Sequence, residues 1–155
     1  RSGLTVRALG IDLGSRRIGV ALSDSAGTLA TPYETVERCG DLALDHRRLL
    51  ALADEADVEC LVVGLPLSLD GSVGPAAQGV LDELELLRST TALPVETYDE
   101  RLTTVTADHL LRQGGTGGRA RRKVVDQTAA AVLLQAWLDA RATRRRLDPP
   151  PSTDA

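Results

Sequence analysis

Apolar and polar positions divide the chain into short apolar runs and longer helical stripes. Residues 6–13, V-R-A-L-G-I-D-L, and residues 18–22, I-G-V-A-L, are two apolar runs. Gly14-Ser15 between them suits a tight turn, so the pair predicts two strands of a hairpin. Residues 28–37 alternate loosely and predict a third strand, completing an antiparallel meander. Asp41 is placed to cap a helix that ends near residue 56, with Leu42, Leu49, Leu50 and Ala53 on one face. The run E-C-L-V-V-G-L at 59–65 predicts a central strand buried on both sides. After the loop P-L-S-L-D-G-S-V-G-P, a helix starts about Pro75 and ends near residue 89, with Val80, Leu81, Leu84 and Leu87 as its stripe. Residues 94–98 predict a fifth strand and 103–113 a further helix. Residues 114–118 carry four glycines in five positions and read as a mobile loop. The last helix spans about 121–141. R-R-R at 144–146 and P-P-P at 149–151 mark 142–155 as a disordered tail, leaving one folded domain over 5–141.

The predicted order is βββαβαβαα. A meander followed by alternating strands and helices gives an α/β domain: a mixed five-stranded sheet, antiparallel over its first three strands and parallel at the fourth and fifth, flanked by helices. That is the arrangement of the ribonuclease-H-like fold. It sets the fourth strand beside the first, so that their C-terminal ends face one crevice, where ligands of such sheets gather.

Asp12 breaks the pattern of the first strand. It stands between Ile11 and Leu13 in a run expected to be buried on both faces. A buried carboxylate must be paired, protonated or bound to a cation. Its own face carries Gly10 and Ala8, small residues that admit close approach. Two further acids join it. Glu100 directly follows the fifth strand in Y-D-E-R-L-T-T. Asp126 lies in the last helix, about 60° from the middle of the apolar stripe, toward the sheet rather than open solvent. Taken singly, each has a plainer role: Asp12 a turn acceptor, Glu100 an exposed turn residue, Asp126 an N-terminal helix charge. Together they suggest a cation site. Carboxylate oxygens suit Mg²⁺ or Mn²⁺, and no Cys/His cluster of zinc spacing occurs. Metal-assisted hydrolysis of a nucleic-acid backbone follows as the expected chemistry, with Asp12, Glu100 and Asp126 as both catalytic and metal-binding residues.

Charge adds a partner to that picture. The net charge of −4 argues against a whole-surface polyanion binder. Locally, however, residues 112–123 carry five basic side chains and no acidic one. Arg16, Arg17, Arg101, Arg119, Arg121, Arg122 and Lys123 are the candidates for holding phosphates. Asp24, Asp70 and Asp99 are the nearest rivals for a place among the acids, with turn and cap roles expected instead. His46 and His109 lie on predicted helices, at surface or half-buried positions. Cys39 and Cys60 form no metal or C-x-x-C spacing and are expected to be free thiols, an inter-subunit bridge through Cys39 being the alternative. No apolar run reaches the ~18 residues of a membrane span, and the opening residues lack the apolar core of a secretory signal. A cytoplasmic protein is expected.

Four blocks now carry a resemblance: L-G-I-D-L-G-S-R-R-I-G-V-A-L-S-D, V-V-G-L-P-L-S-L-D-G-S-V-G-P, D-E-R-L-T-T and D-Q-T-A-A-A-V-L-L-Q-A-W-L-D. In content and order they resemble the YqgF/RuvX family over about residues 8–140. The resemblance implies a ribonuclease-H-like protein of the bacterial cytoplasm, related to the junction resolvase RuvC. It also implies either a nuclease maturing the 5′ end of pre-16S ribosomal RNA or a Holliday-junction resolvase acting on branched DNA. The family's acids fall on Asp12, Glu100 and Asp126. RuvC-like enzymes carry a fourth acid a turn from the last one, where this chain has Ala129 and Ala130. The junction reading calls for a two-fold homodimer. Two readings of other classes stand beside these. The D-x-G hairpin is similar to the phosphate hairpin of the actin, Hsp70 and sugar-kinase superfamily, which needs two such domains where this chain has room for one. The fold could also serve a non-catalytic nucleic-acid-binding assembly factor.

Overall fold

The computed structural model describes residues 6–103 and 119–147, with side chains over 6–103 and, except at 145, over 129–147. Five strands form one sheet: β1 (Ala8–Leu13), β2 (Arg17–Ser23), β3 (Ala30–Glu37), β4 (Cys60–Leu65) and β5 (Val95–Asp99). Their order across the sheet is β3-β2-β1-β4-β5. β1 runs antiparallel to β2, pairing Asp12 with Gly19, and parallel to β4, pairing Ile11 with Val63. β5 is parallel to β4, with Gly64 opposite Tyr98. The expected mixed sheet is therefore present, with the strand that carries Asp12 at its centre.

Two helices, α1 (Leu42–Glu55) and α2 (Pro75–Arg88), cover one face. Asp41 caps α1 by accepting a hydrogen bond from the Leu44 amide at 3.3 Å, and Pro75 opens α2, as the sequence leads one to expect. The alternation of the strands sends Leu9, Ile11, Leu61 and Val63 to this side, where they pack with Leu49, Leu84 and Leu87. Burying each such side chain contributes about 1.5–3 kcal/mol. The opposite face carries Ala8, Ala21, Cys60 and Val62, and the long helix α3 (Arg119–Leu147) lies on it through Ala130, Leu134, Trp137 and Leu138.

One difference from expectation concerns α3. The helix does not stop at residue 141 but continues to Leu147, so residues 142–147 belong to it and not to a tail. A-T-R-R-R contains neither Gly nor Pro, and nothing in it breaks a helix before Pro149. Residues 148–155, together with the expected helix at 103–113 and the glycine loop at 114–118, lie outside the described residues except for Thr103, which ends a 3-10 turn (Glu100–Leu102). Among the described residues, no helix is long and apolar enough to cross a membrane.

Gly10 sets how closely α3 approaches the sheet. A Cβ there would stand 2.8 Å from Leu134 Cβ and 3.1 Å from the Ala130 carbonyl oxygen. The helix direction follows from a second contact. Gln135 accepts from the Ala30 amide at 2.8 Å and donates to the Thr28 carbonyl at 2.9 Å, at the start of β3. Through the register of β2, that end is level with the start of β1. From Gln135 back to Ala130 the helix thus travels along β1 toward its C-terminal end, the end that carries Asp12.

Candidate carboxylate site at the ends of the central strands

The site is built on the α3 face, where β1, β4 and β5 end. Asp12 is half-buried on the same face as Ala8 and Gly10. One residue beyond the Ile11–Val63 pair of the parallel strands stand Asp12 and Gly64. Glu100 begins the 3-10 turn immediately after β5. The Asp99 side chain caps that turn, accepting from the Arg101 amide at 2.9 Å, so β5 ends in a fixed direction.

Glu100 leans over Gly64. A Cβ at residue 64 would stand 2.7 Å from Glu100 Oε2 and 3.1 Å from its Cγ. Only a residue without a side chain leaves the carboxyl that room. Burial pushes the Glu100 carboxyl up to about 7, and the charges of Asp12 and Asp99 push in the same direction. Asp12 and Glu100, separated by much of the chain, are thus brought close enough to repel.

The third expected acid, Asp126, lies in α3 one turn before Ala130, toward the Asp12 end of β1. Its side chain is outside the described residues. Among the described residues no group of three or more His, Cys, Asp or Glu side chains is arranged to hold a metal ion. The part of the donor set in view is a pair of carboxylates. It fits a hard divalent cation by its chemistry, and the raised Glu100 carboxyl marks a spot where positive charge would be stabilising.

The candidate cations divide. Arg16 is exposed at the turn of the β1–β2 hairpin. Arg17 is turned inward, only 8% exposed, with its Nε 3.6 Å from Glu37 Oε2. Arg101 is exposed but its guanidinium is engaged: Nη2 lies 2.7 Å from Asp99 Oδ2, and Nη1 donates to the Leu69 carbonyl at 3.3 Å. It also packs against Gly71, whose φ of 87° keeps that position to glycine. Arg101 therefore ties the loop after β4 to the turn that bears Glu100. Arg119, Arg121, Arg122 and Lys123 occupy the first turns of α3, and their side chains lie outside the described residues.

The rival acids take the local roles expected of them. Asp24 accepts from the Thr28 and Leu29 amides within its own turn. Asp70 accepts from the Ser72 amide at 2.9 Å. Asp99 serves as cap and partner of Arg101. His46 differs from expectation: it is only 2% exposed, and its Nε2 lies 2.8 Å from Glu83 Oε2. That contact joins two residues 37 positions apart on α1 and α2, a separation over which sequence periodicity carries no signal. His109 lies outside the described residues. Cys39 is exposed and Cys60 buried, both as free thiols. Burial pushes the Cys60 thiol up to about 11, which makes it inert.

Comparison with known proteins places this geometry in a lineage. A family model described as RuvX, Holliday junction resolvase, matches residues 6–140. A Desulforudis audaxviator protein named as a pre-16S rRNA nuclease is 44% identical over 140 residues, 90% of this chain and 99% of that protein. A Mycobacterium leprae protein of the same name is 50% identical over 147 residues, 93% of this chain and 79% of that one. Among solved structures, Thermus thermophilus RuvC in complex with a Holliday junction substrate superposes with a TM-score of 0.55. That match is 16% identical and covers 88% of this chain and 96% of RuvC, so it establishes the ribonuclease-H-like fold.

Proposed function

The chain belongs to the RuvX family, and on that premise we propose that it is a nuclease hydrolysing phosphodiester bonds of nucleic acid with a divalent cation, Mg²⁺ or Mn²⁺. Asp12 and Glu100 hold the cation, with Asp126 as the third ligand. The substrate in this reading is the precursor of 16S ribosomal RNA, cut at its 5′ end; the relatives named as pre-16S rRNA nucleases support the RNA, and the choice of end is part of the proposal. The protein acts in the cytoplasm.

One observation carries this reading. The fold places Glu100 over Gly64 and beside Asp12, and its carboxyl is raised to about 7 by burial and like charge. A purely structural acid at the end of a strand gains nothing from such company, since each charge makes the other more costly. Bound there, a cation supplies charge stabilisation and a water of lowered pKa. Asp12 and Glu100 would hold it, and the Glu100 carboxyl, raised by burial and by Asp12, is the group whose charge a cation there would favour. Arg16, exposed at the hairpin turn, contacts the phosphates flanking the cleaved bond, and Arg119, Arg121, Arg122 and Lys123 supply further contacts from the start of α3. Arg17 and Arg101, committed to Glu37 and Asp99, shape the site rather than grip the strand.

A second reading is favoured by the description of the family and by the fold shared with RuvC: cleavage of four-way DNA junctions. It requires a two-fold dimer to nick symmetrically. A cleavage assay with a pre-16S 5′ fragment and a four-way junction, in Mg²⁺ and Mn²⁺ at fixed salt, separates the two. The RNA fragment is expected to be cut, with cleavage lost in Asp12→Asn. Preference for the junction selects the second reading. Binding of RNA without cleavage by parent and variant alike would make the protein an assembly factor.

A further inference from the structure

On the α1–α2 side of the sheet, a buried polar cluster converges on Arg38. Its Nη1 and Nη2 donate to Glu83 Oε2 and Oε1, both at 3.0 Å, a bidentate pair. Glu83 is held in turn by His46 Nε2 at 2.8 Å. Asp45, 1% exposed, lies 3.6 Å from Arg38 Nη1 and also accepts from the Cys39 amide at 3.2 Å. Burial pushes the Glu83 carboxyl up, but the hydrogen bonds from Arg38 and His46 outweigh it and hold the carboxyl below its usual range. A cluster of this kind is a poor way to gain stability, because desolvating its charges costs about as much as their attraction returns.

Its geometry points to another use. Arg38 also grips the β1–β2 turn twice. Its Nε donates to the Gly14 carbonyl at 2.7 Å, and its backbone amide donates to the Arg16 carbonyl at 2.9 Å. The Gly14 amide donates back to the Asp12 carbonyl at 3.1 Å, so the gripped turn is continuous with the strand end that bears the acid. The turn has an open flank, a cleft of about 610 Å³ lined in part by Ser15, Arg16, Gly40 and Leu42. Arg38 and Asp45 line the same cleft, so the clamp stands at the open edge of the turn. A guanidinium fixed along one edge by Glu83 presents its Nε in one direction, which a lysine ammonium cannot do.

We propose that Arg38, oriented by Glu83 and His46, is a positioning residue of the carboxylate site: it fixes the turn 14–16 and through it the placement of Asp12 and Arg16. The proposal rests on the nuclease reading for the purpose of the site, and on the contacts above for the clamp itself.

Hydrogen exchange over residues 12–18, compared with residues 60–65, tests the clamp without reference to activity. In Arg38→Lys and in the milder Glu83→Gln, exchange at 14–17 is expected to rise about tenfold while β4 is unchanged, the loss of roughly one partly buried hydrogen bond being local. In cleavage, the Mn²⁺ concentration for half-maximal rate is expected to rise about tenfold, with most of the rate recovered at saturating Mn²⁺, since a displaced ligand weakens cation binding first. If Arg38→Lys does not fold, Glu83→Gln carries the test. Unchanged exchange at 14–17, or an increase equal across β4, overturns the proposal and leaves the cluster a structural one. A parent protein that cleaves neither substrate removes the nuclease reading, while local exchange still decides whether Arg38 clamps the turn.

Discussion

Gly64 and Glu100 are fitted to one another. A methyl group on residue 64 would lie 2.7 Å from Glu100 Oε2, and the Cγ and Cδ atoms at 3.1 and 3.2 Å leave the side chain no easy retreat. The second-from-last residue of β4 thus determines where the acid after β5 can rest, although the two are 36 positions apart in the sequence.

Gly64→Ala is accordingly expected to displace the Glu100 carboxyl and reduce single-turnover cleavage on the order of 100-fold, the usual effect of about an ångström of misplacement at a reacting centre. The stability cost is expected to stay within about 1–3 kcal/mol. Urea unfolding alongside the cleavage assay checks both. A variant as active as the parent would show that the position of Glu100 has no part in the reaction.

The raised Glu100 carboxyl gives a pH signature in cation-free solution. The folded state binds this proton more tightly than the unfolded state, whose carboxyl sits near the ordinary 4.5. The contribution of Glu100 is therefore least unfavourable below about pH 4.5, becomes destabilising as pH rises toward about 7, and levels off above it. Melting temperatures between pH 5 and 8 are expected to fall more steeply for the parent than for Glu100→Gln. At pH 8, Mg²⁺ is expected to raise the melting temperature of the parent and to have less effect on the variant. Identical pH slopes would mean that the carboxyl is not buried beside Asp12.

Arg16→Ala tests the phosphate contact at the hairpin. Binding of the RNA fragment, measured in Ca²⁺ to suppress cleavage, is expected to weaken, and the slope of log K against log salt to decrease by about 1. An unchanged slope would assign the contact to other cations.

The sequence discloses these features unevenly, for physical reasons. Asp12 is conspicuous because strand alternation makes one charge in an apolar run stand out. The capped start of α1 and Pro75 at the start of α2 are local events, and local chemistry is legible along a chain. Glu100 looks like a turn residue until β5 is docked beside β4, and the space it needs is recorded only as a glycine in another strand. His46 shows the same limit: its burial depends on Glu83, which no period of the helix points to. The end of α3 was hidden because R-R-R suggests a solvated tail, whereas a helix carries exposed arginines such as Arg144 and Arg146 equally well. Arg17 and Arg101 are basic in sequence but committed in space, to Glu37 and Asp99. Composition cannot distinguish an occupied cation from an available one.

The parallel pairing of β1 with β4 and of β4 with β5 has a bearing on synthesis. Asp12 is made before Glu100, which follows both α1 and α2 in the chain. A partly made chain has Asp12 without Glu100, so the proposed cation site cannot form in it. On the proposed reading, cleavage waits until β5 has docked beside β4 and brought Glu100 over Gly64.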